Sequence, residues 1–203
     1  MSESRESYWV RWGGVAGILT PILAFTFISL AILTYPEFSW VDNALSDLGV
    51  VPGVTSTLFN FGLFASGLFS LNFAVGLYKL SKNVLGKIGA IIFFLAGMAL
   101  EGIAVANENV RPFHFAFSVA FFVLMPIALL VFYGHFLKTS QKRLGVFTWL
   151  VAGVAFLPWV LQFTVLNFSG VAIPEAISAA AGSVWTLVLS YKMLKESVQA
   201  KNS

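Results

Sequence analysis

Long apolar runs separated by short polar breaks fill the chain. Six runs reach the roughly 20 residues that a membrane-crossing helix needs. They are Gly13–Tyr35, Ser56–Leu80, Ile88–Ala106, Phe113–Leu137, Leu144–Phe168 and Pro174–Met193. The breaks between them are Pro36–Thr55, Ser81–Lys87, Asn107–Pro112, Lys138–Arg143 and Ser169–Ile173. All but the first are very short, so successive helices are expected to run antiparallel as packed neighbours. The pattern predicts an all-α, polytopic membrane protein. Its six transmembrane helices form one antiparallel bundle, a single integral membrane domain over residues 1–203. No internal repeat or low-complexity segment is visible.

The first break has a pattern of its own in Ser39–Gly49. Ser39 with Asp42 three residues on reads as a helix start of capping-box type. Gly49 reads as the stop. Between them Trp40, Ala44, Leu45 and Leu48 share one helical face, while Asn43, Ser46 and Asp47 share another. The spacing predicts a short amphipathic helix lying in the membrane interface. Its polar face is expected to point down toward Glu101 and His114, with Trp40 and Leu48 anchored in the interface.

Composition narrows the class. Hydrophobic residues make up 58% of the chain and charged residues 10%, against about 25% charge in a soluble domain. Mean hydropathy is +0.86. No room is left for a separate soluble domain. The absence of cysteine excludes disulfides, thiolate metal sites and a cysteine nucleophile. Met1–Tyr8 mixes Glu3 and Glu6 with Arg5, a poor signal-peptide start, so the first span is expected to be retained. The net charge of +3 comes from residues at helix ends and points to membrane anchoring rather than nucleic acid. Membrane lipids are the expected partners, and nothing identifies a protein partner.

Charge also orients the bundle. Eleven of the twelve Lys and Arg residues fall on one side of the predicted spans, and Arg111 alone falls on the other. The positive-inside rule then places both termini in the cytoplasm of a cell with a multi-pass protein in its plasma membrane. The Ser39–Gly49 loop, Asn107–Pro112 and Ser169–Ile173 face outward.

Polar groups inside spans are costly, so their positions carry information. Glu101 lies about five residues before the outer end of its span, roughly 8 Å deep at 1.5 Å per residue. It shares a face with Gly97, Ala104 and Glu108, a surface suited to protein or water. It either bonds a neighbouring helix in neutral form or takes part in ligand or proton chemistry. His114 opens the fourth span, with Ser118 one turn on, at the level of Glu108 and Arg111. Asn60, Gln162, Glu175 and Ser178 add polar groups to the same half, although Glu175 beside Pro174 is also ordinary helix-start chemistry. His135 and Asn72 read as interfacial and helix-bridging residues. The outer half therefore suggests a polar cavity, with Ser39–Gly49 as its rim or lid.

No metalloprotease, phosphate-loop, nucleophile-elbow or dinucleotide motif occurs. His114 with Asp47 or Glu101 has the ligand types for zinc. Only one His faces outward, however, so no metal or other cofactor is expected. Ser46, Asp47 and His114 are the ingredients of an acyl-transfer triad, but Ser46 and Asp47 are adjacent, which makes a direct relay awkward. Acid–base work by Asp47, Glu101 and His114 on a water nucleophile is easier to accommodate. Asn43, Ser46, Asn60, Glu108, Arg111, Ser118, Gln162, Glu175 and Ser178 are then the candidate ligand-binding groups, with Arg111 suited to an anion.

Asn43-Ala44-Leu45-Ser46-Asp47-Leu48-Gly49 after the first span, and Pro112-Phe113-His114 opening the fourth, resemble an uncharacterised prokaryotic membrane family, domain of unknown function 998. The resemblance covers essentially the whole chain and implies the six-span fold without an activity. Where members often carry an aromatic-Pro-acid stretch before the His, this chain has Val105-Ala106-Asn107-Glu108. More distantly, Ser46-Asp47 with Gly49 is similar to the first outer loop of autophagy-modulator and GPI-lipid-remodelling membrane proteins; Ser46, Asp47 and His114 carry that match. Three functions stay open. One is a pocket for a lipid head group or amphiphile, with a lipid-modifying hydrolase or transferase as its enzymatic version. The others are a small transporter or transporter subunit, and a non-catalytic partner-binding protein.

Overall fold

A computed structural model describes residues 2–202, with side chains for 8–199. Glu3, Arg5, Glu6 and Lys201 of the charge pattern lie outside the described side chains. Six long helices account for most of the chain: α1 (Ser2–Leu33), α2 (Val54–Leu80), α3 (Val84–Val105), α4 (Arg111–Lys138), α5 (Lys142–Leu161) and α6 (Ala172–Asn202). No strand occurs among the described residues. All six are long and apolar enough to cross a membrane, and the chain is a multi-pass membrane protein.

Helix ends follow local chemistry. The Asn83 side chain caps α3 by accepting from Gly86 N at 2.9 Å. Pro112 occupies the first turn of α4, where a missing N–H costs nothing. After α4, Ser140 is left-handed (φ 60°), and Gln141 N reaches back to Phe136 O at 2.9 Å. The fifth predicted span reaches Phe168, but α5 ends at Leu161 and continues as a π turn over Gln162–Leu166. Pro158 lies just before this widening and supplies no backbone donor there.

Each helix packs against the one before it, and α6 closes onto α1. The six therefore form a ring in chain order. Small residues let the backbones touch: a Cβ on Gly13 would lie 2.7 Å from the Cα of Gly76. Inside the ring, Trp185 from α6 meets Phe73, Phe93 and Phe132 at centroid distances of 6.2, 5.6 and 5.1 Å. All four are buried. They form an aromatic plug between the two ends of the bundle.

The first loop departs from its expected form. Its helix is a 3-10 segment, Leu45–Val50, rather than a helix from Ser39. The cause is a partner far along the chain. Val41 O accepts from Gly170 N at 2.8 Å and Asn43 O from Ala172 N at 2.9 Å, which leaves these carbonyls unavailable to a local helix. Ser39 Oγ does donate to Asp42 Oδ2 (2.6 Å), and Ser169 Oγ donates to Asp42 Oδ1 (2.7 Å). These two hydroxyls, Ser39 first, hold the Asp42 carboxyl below its ordinary value. The helix starts only at Leu45, where Asp47 Oδ2 accepts from Ala44 N at 2.9 Å. Leu48, expected in the interface, is fully buried with Phe59 and Ile103. Trp40 remains about half exposed.

Candidate functional site

Where α3 turns into α4, a short 3-10 turn, Glu108–Val110, follows Asn107. His114, on the first turn of α4, is buried beneath it. Its Nδ1 lies 2.8 Å from Ala106 O. A carbonyl only accepts, so Nδ1 carries the proton. Nε2 then faces Ser118 Oγ at 3.4 Å and Glu108 Oε1 at 3.7 Å. The same Glu108 oxygen accepts from Ser46 Oγ at 2.8 Å. Ser46, Glu108 and His114 thus form one polar cluster, assembled from the first loop and the α3–α4 turn.

This cluster closes one end of a cavity of about 730 Å³ between α4 and α5. Arg111 and Glu175 complete its polar end. Arg111 is exposed and has no ion-pair partner among the described residues. Beyond the cluster the wall is apolar: Phe115, Val119 and Val123 from α4 face Phe156, Trp159 and Phe163 across the groove. Five of these residues follow i, i+4 spacing, Phe115, Val119 and Val123 along α4 and Trp159 with Phe163 across the end of α5, so they line one strip. A second cavity of about 110 Å³ lies inside the ring and shares Ser46, Ser118, Phe122 and Glu175 with the groove.

The other candidates are held by structural bonds. Asp47 caps Ala44 and accepts from Asn43 Nδ2 at 2.9 Å, while Asn43 Oδ1 accepts from Ser39 N. Glu175 is buried and accepts from Leu45 N at 2.6 Å, tying the first loop to α6. Asn60 donates to Gly49 O at 2.9 Å. Gln162 donates to Phe168 O and Gly170 O, bracing the α5–α6 link. Ser178 donates to Ala155 O and accepts from Trp159 Nε1, joining α5 to α6. Glu101 lies in the seam with α2, where a Cβ on Gly67 would come within 2.4 Å of its Cγ. Its Oε1 is buried without a hydrogen-bond partner.

Asp47, Glu101 and His114 therefore make no hydrogen bonds to one another among the described residues. Glu108 occupies the place beside Ser46 and His114. No group of three His, Cys, Asp or Glu side chains is placed to hold a metal ion among the described residues. The aromatic groove wall is not legible in the sequence, because lipid-facing and groove-facing aromatics on a transmembrane helix have the same hydropathy. The i, i+4 spacing of Trp159 and Phe163 was the available signal.

No curated protein and no solved structure matches the chain, so the distant likeness to lipid-remodelling proteins gains no support from them. Residues 18–192 match the family described as Protein of unknown function (DUF998), and the chain belongs to that family.

Proposed function

We propose that this protein binds a membrane amphiphile, with the head group at the Ser46–Glu108–His114 cluster and an acyl chain along the α4–α5 groove. The observation that carries this reading is the continuity of the two surfaces in one cavity of about 730 Å³. That volume falls within the roughly 300–1,000 Å³ of small-molecule sites. Arg111 offers an unpaired guanidinium for a phosphate. The exposed faces of Phe115, Val119, Phe156 and Phe163 let a tail enter sideways from the bilayer. The basic-residue asymmetry supports a head-group end on the outer side of a plasma membrane, with both termini inside. The aromatic plug around Trp185 favours binding over passage through the ring.

One observation favours a second reading, acid–base chemistry on the bound amphiphile. Ser46 Oγ donates to Glu108 Oε1 at 2.8 Å, so a carboxylate stands beside a hydroxyl and an imidazole. In that case Glu108→Gln keeps the bound lipid and stops its conversion.

Binding is tested by mass spectrometry of lipids retained through purification. Val123→Trp fills the groove and is expected to reduce retained lipid about tenfold or more. Leu95→Trp, on an exposed face of α3, is expected to leave it unchanged. Equal retention by wild type and Val123→Trp contradicts the reading.

A further inference from the structure

The opposite end of the bundle holds a cavity of about 240 Å³ that the groove does not involve. Its floor is apolar, from Leu77, Phe132 and Leu189. Its wall carries Ser81, Lys82, His135, Lys192 and Glu196. Two of these are more than nine-tenths buried, Ser81 at 6% and His135 at 7% exposure. Each presents a polar atom without a hydrogen-bond partner among the described residues.

The proton positions at His135 follow from its neighbour. Asn83 Oδ1 accepts from Gly86 N, which identifies that atom as the oxygen. His135 Nδ1 lies 2.8 Å from it and must donate. The neutral ring then has a bare Nε2 lone pair, and that atom makes no hydrogen bond. Ser81 Oγ, for its part, is free to donate. Gly86 makes the arrangement possible, since a Cβ there would lie 2.6 Å from both His135 Nδ1 and Ser81 Oγ.

Charge selects the ligand. Lys192 is paired with Glu196 on the next turn of α6. Lys82 is exposed and has no ion-pair partner among the described residues. Two ammonium groups against one carboxylate leave a single net positive charge on the wall. We infer that this cavity binds a phosphoryl monoanion that also carries a hydroxyl donor. Lys82 and Ser81 hold phosphate oxygens, and His135 Nε2 accepts the hydroxyl. A glycerol-phosphate lipid head group and free dihydrogen phosphate share this chemistry.

The test uses the delipidated full-length Val123→Trp protein in detergent, so that the filled groove takes no lipid, titrated and read by native mass spectrometry. The probes are dioctanoyl-phosphatidylglycerol, dioctanoyl-phosphatidylcholine and sodium phosphate. One saturable phosphatidylglycerol is expected, weakened about tenfold by Lys82→Gln and about tenfold by Ser81→Ala, and retained by Lys82→Arg. Because Val123→Trp already removes groove binding, failure of the groove reading would leave this site standing. Displacement of the lipid by phosphate at equal concentration assigns the site to the free anion, and resistance assigns it to the lipid; both uphold a phosphoryl site. Equal binding by Val123→Trp alone and by its combinations with Lys82→Gln and Ser81→Ala overturns it. So does phosphatidylcholine binding as tightly as phosphatidylglycerol, because its ammonium cancels the charge and it has no hydroxyl donor.

Discussion

Replacing Trp185 with alanine is expected to destabilise the bundle by about 3–5 kcal/mol. The indole is fully buried at the centre of the ring, in contact with Phe73, Phe93 and Phe132. These three come from α2, α3 and α4, so the cavity left behind cannot close without moving three helices at once. A polar term adds to this: Trp185 Nε1 donates to Thr148 Oγ1 of α5 at 3.0 Å. Interhelical hydrogen bonds in membranes average about 0.6 kcal/mol, so packing dominates. Trp185→Phe is therefore expected to cost about half as much or less, since it keeps the larger share of the aromatic volume and loses one fused ring and the bond. Denaturant titration in mixed micelles measures both. A Trp185→Ala cost below about 1 kcal/mol would mean that the plug is not the centre of the fold.

Gly170→Ala is the second large effect, and it reaches the site from a distance. A Cβ at Gly170 would lie 2.2 Å from Asn43 O, 2.4 Å from Asn43 N and 2.5 Å from Asn43 C. All three are backbone atoms, so no rotamer change relieves the overlap. The pairing of Val41–Asn43 with Gly170–Ala172 has to open. Leu45, whose N–H is bonded to Glu175, and Ser46, bonded to Glu108, ride on that pairing. The variant is expected to lose about 1–3 kcal/mol of stability and most of its retained amphiphile together. Gly153 is a matched control, because a Cβ there meets nothing within 4 Å. Gly153→Ala is expected to be neutral or stabilising by up to about 1 kcal/mol. Melting curves and lipid retention on the two variants check this pair; a Gly170→Ala protein that melts like wild type contradicts the clasp.

Hydropathy made the helices readable, because span length and polar breaks are local properties of the chain. The neighbour order from α2 to α6 followed from links too short to skip a neighbour, whereas the closure of α6 onto α1 is set by packing between the two ends of the chain. The end of α5 was less readable, since the π turn depends on how Pro158 and Gln162 share the return of the chain. The first loop shows the limit most clearly. Ser39 and Asp42 do form their predicted bond, yet no helix begins there, because Val41 and Asn43 are claimed by residues about 130 positions later. That same nonlocal pairing decided which acid joins Ser46. Asp47 was the adjacent candidate, but the segment needed it as a cap for Ala44. Glu108 was placed at the level of His114 by sequence, and only the fold brought the first loop across to it. Glu101 lies four residues before the end of α3, but the face it shares with Gly97 turns toward Gly67 and Ser70 of α2 rather than toward His114.

The central claim is that one amphiphile lies along the α4–α5 groove with its head at Glu108 and His114. The direct measurement is photolabelling in detergent with one equivalent of a phospholipid carrying a diazirine on its acyl chain, followed by peptide mapping. The account predicts labels concentrated on residues 115–123 and 156–163, and their loss in Val123→Trp. Labels spread evenly over other exposed apolar residues such as Leu95, Met98 and Leu187, unchanged by Val123→Trp, would contradict it.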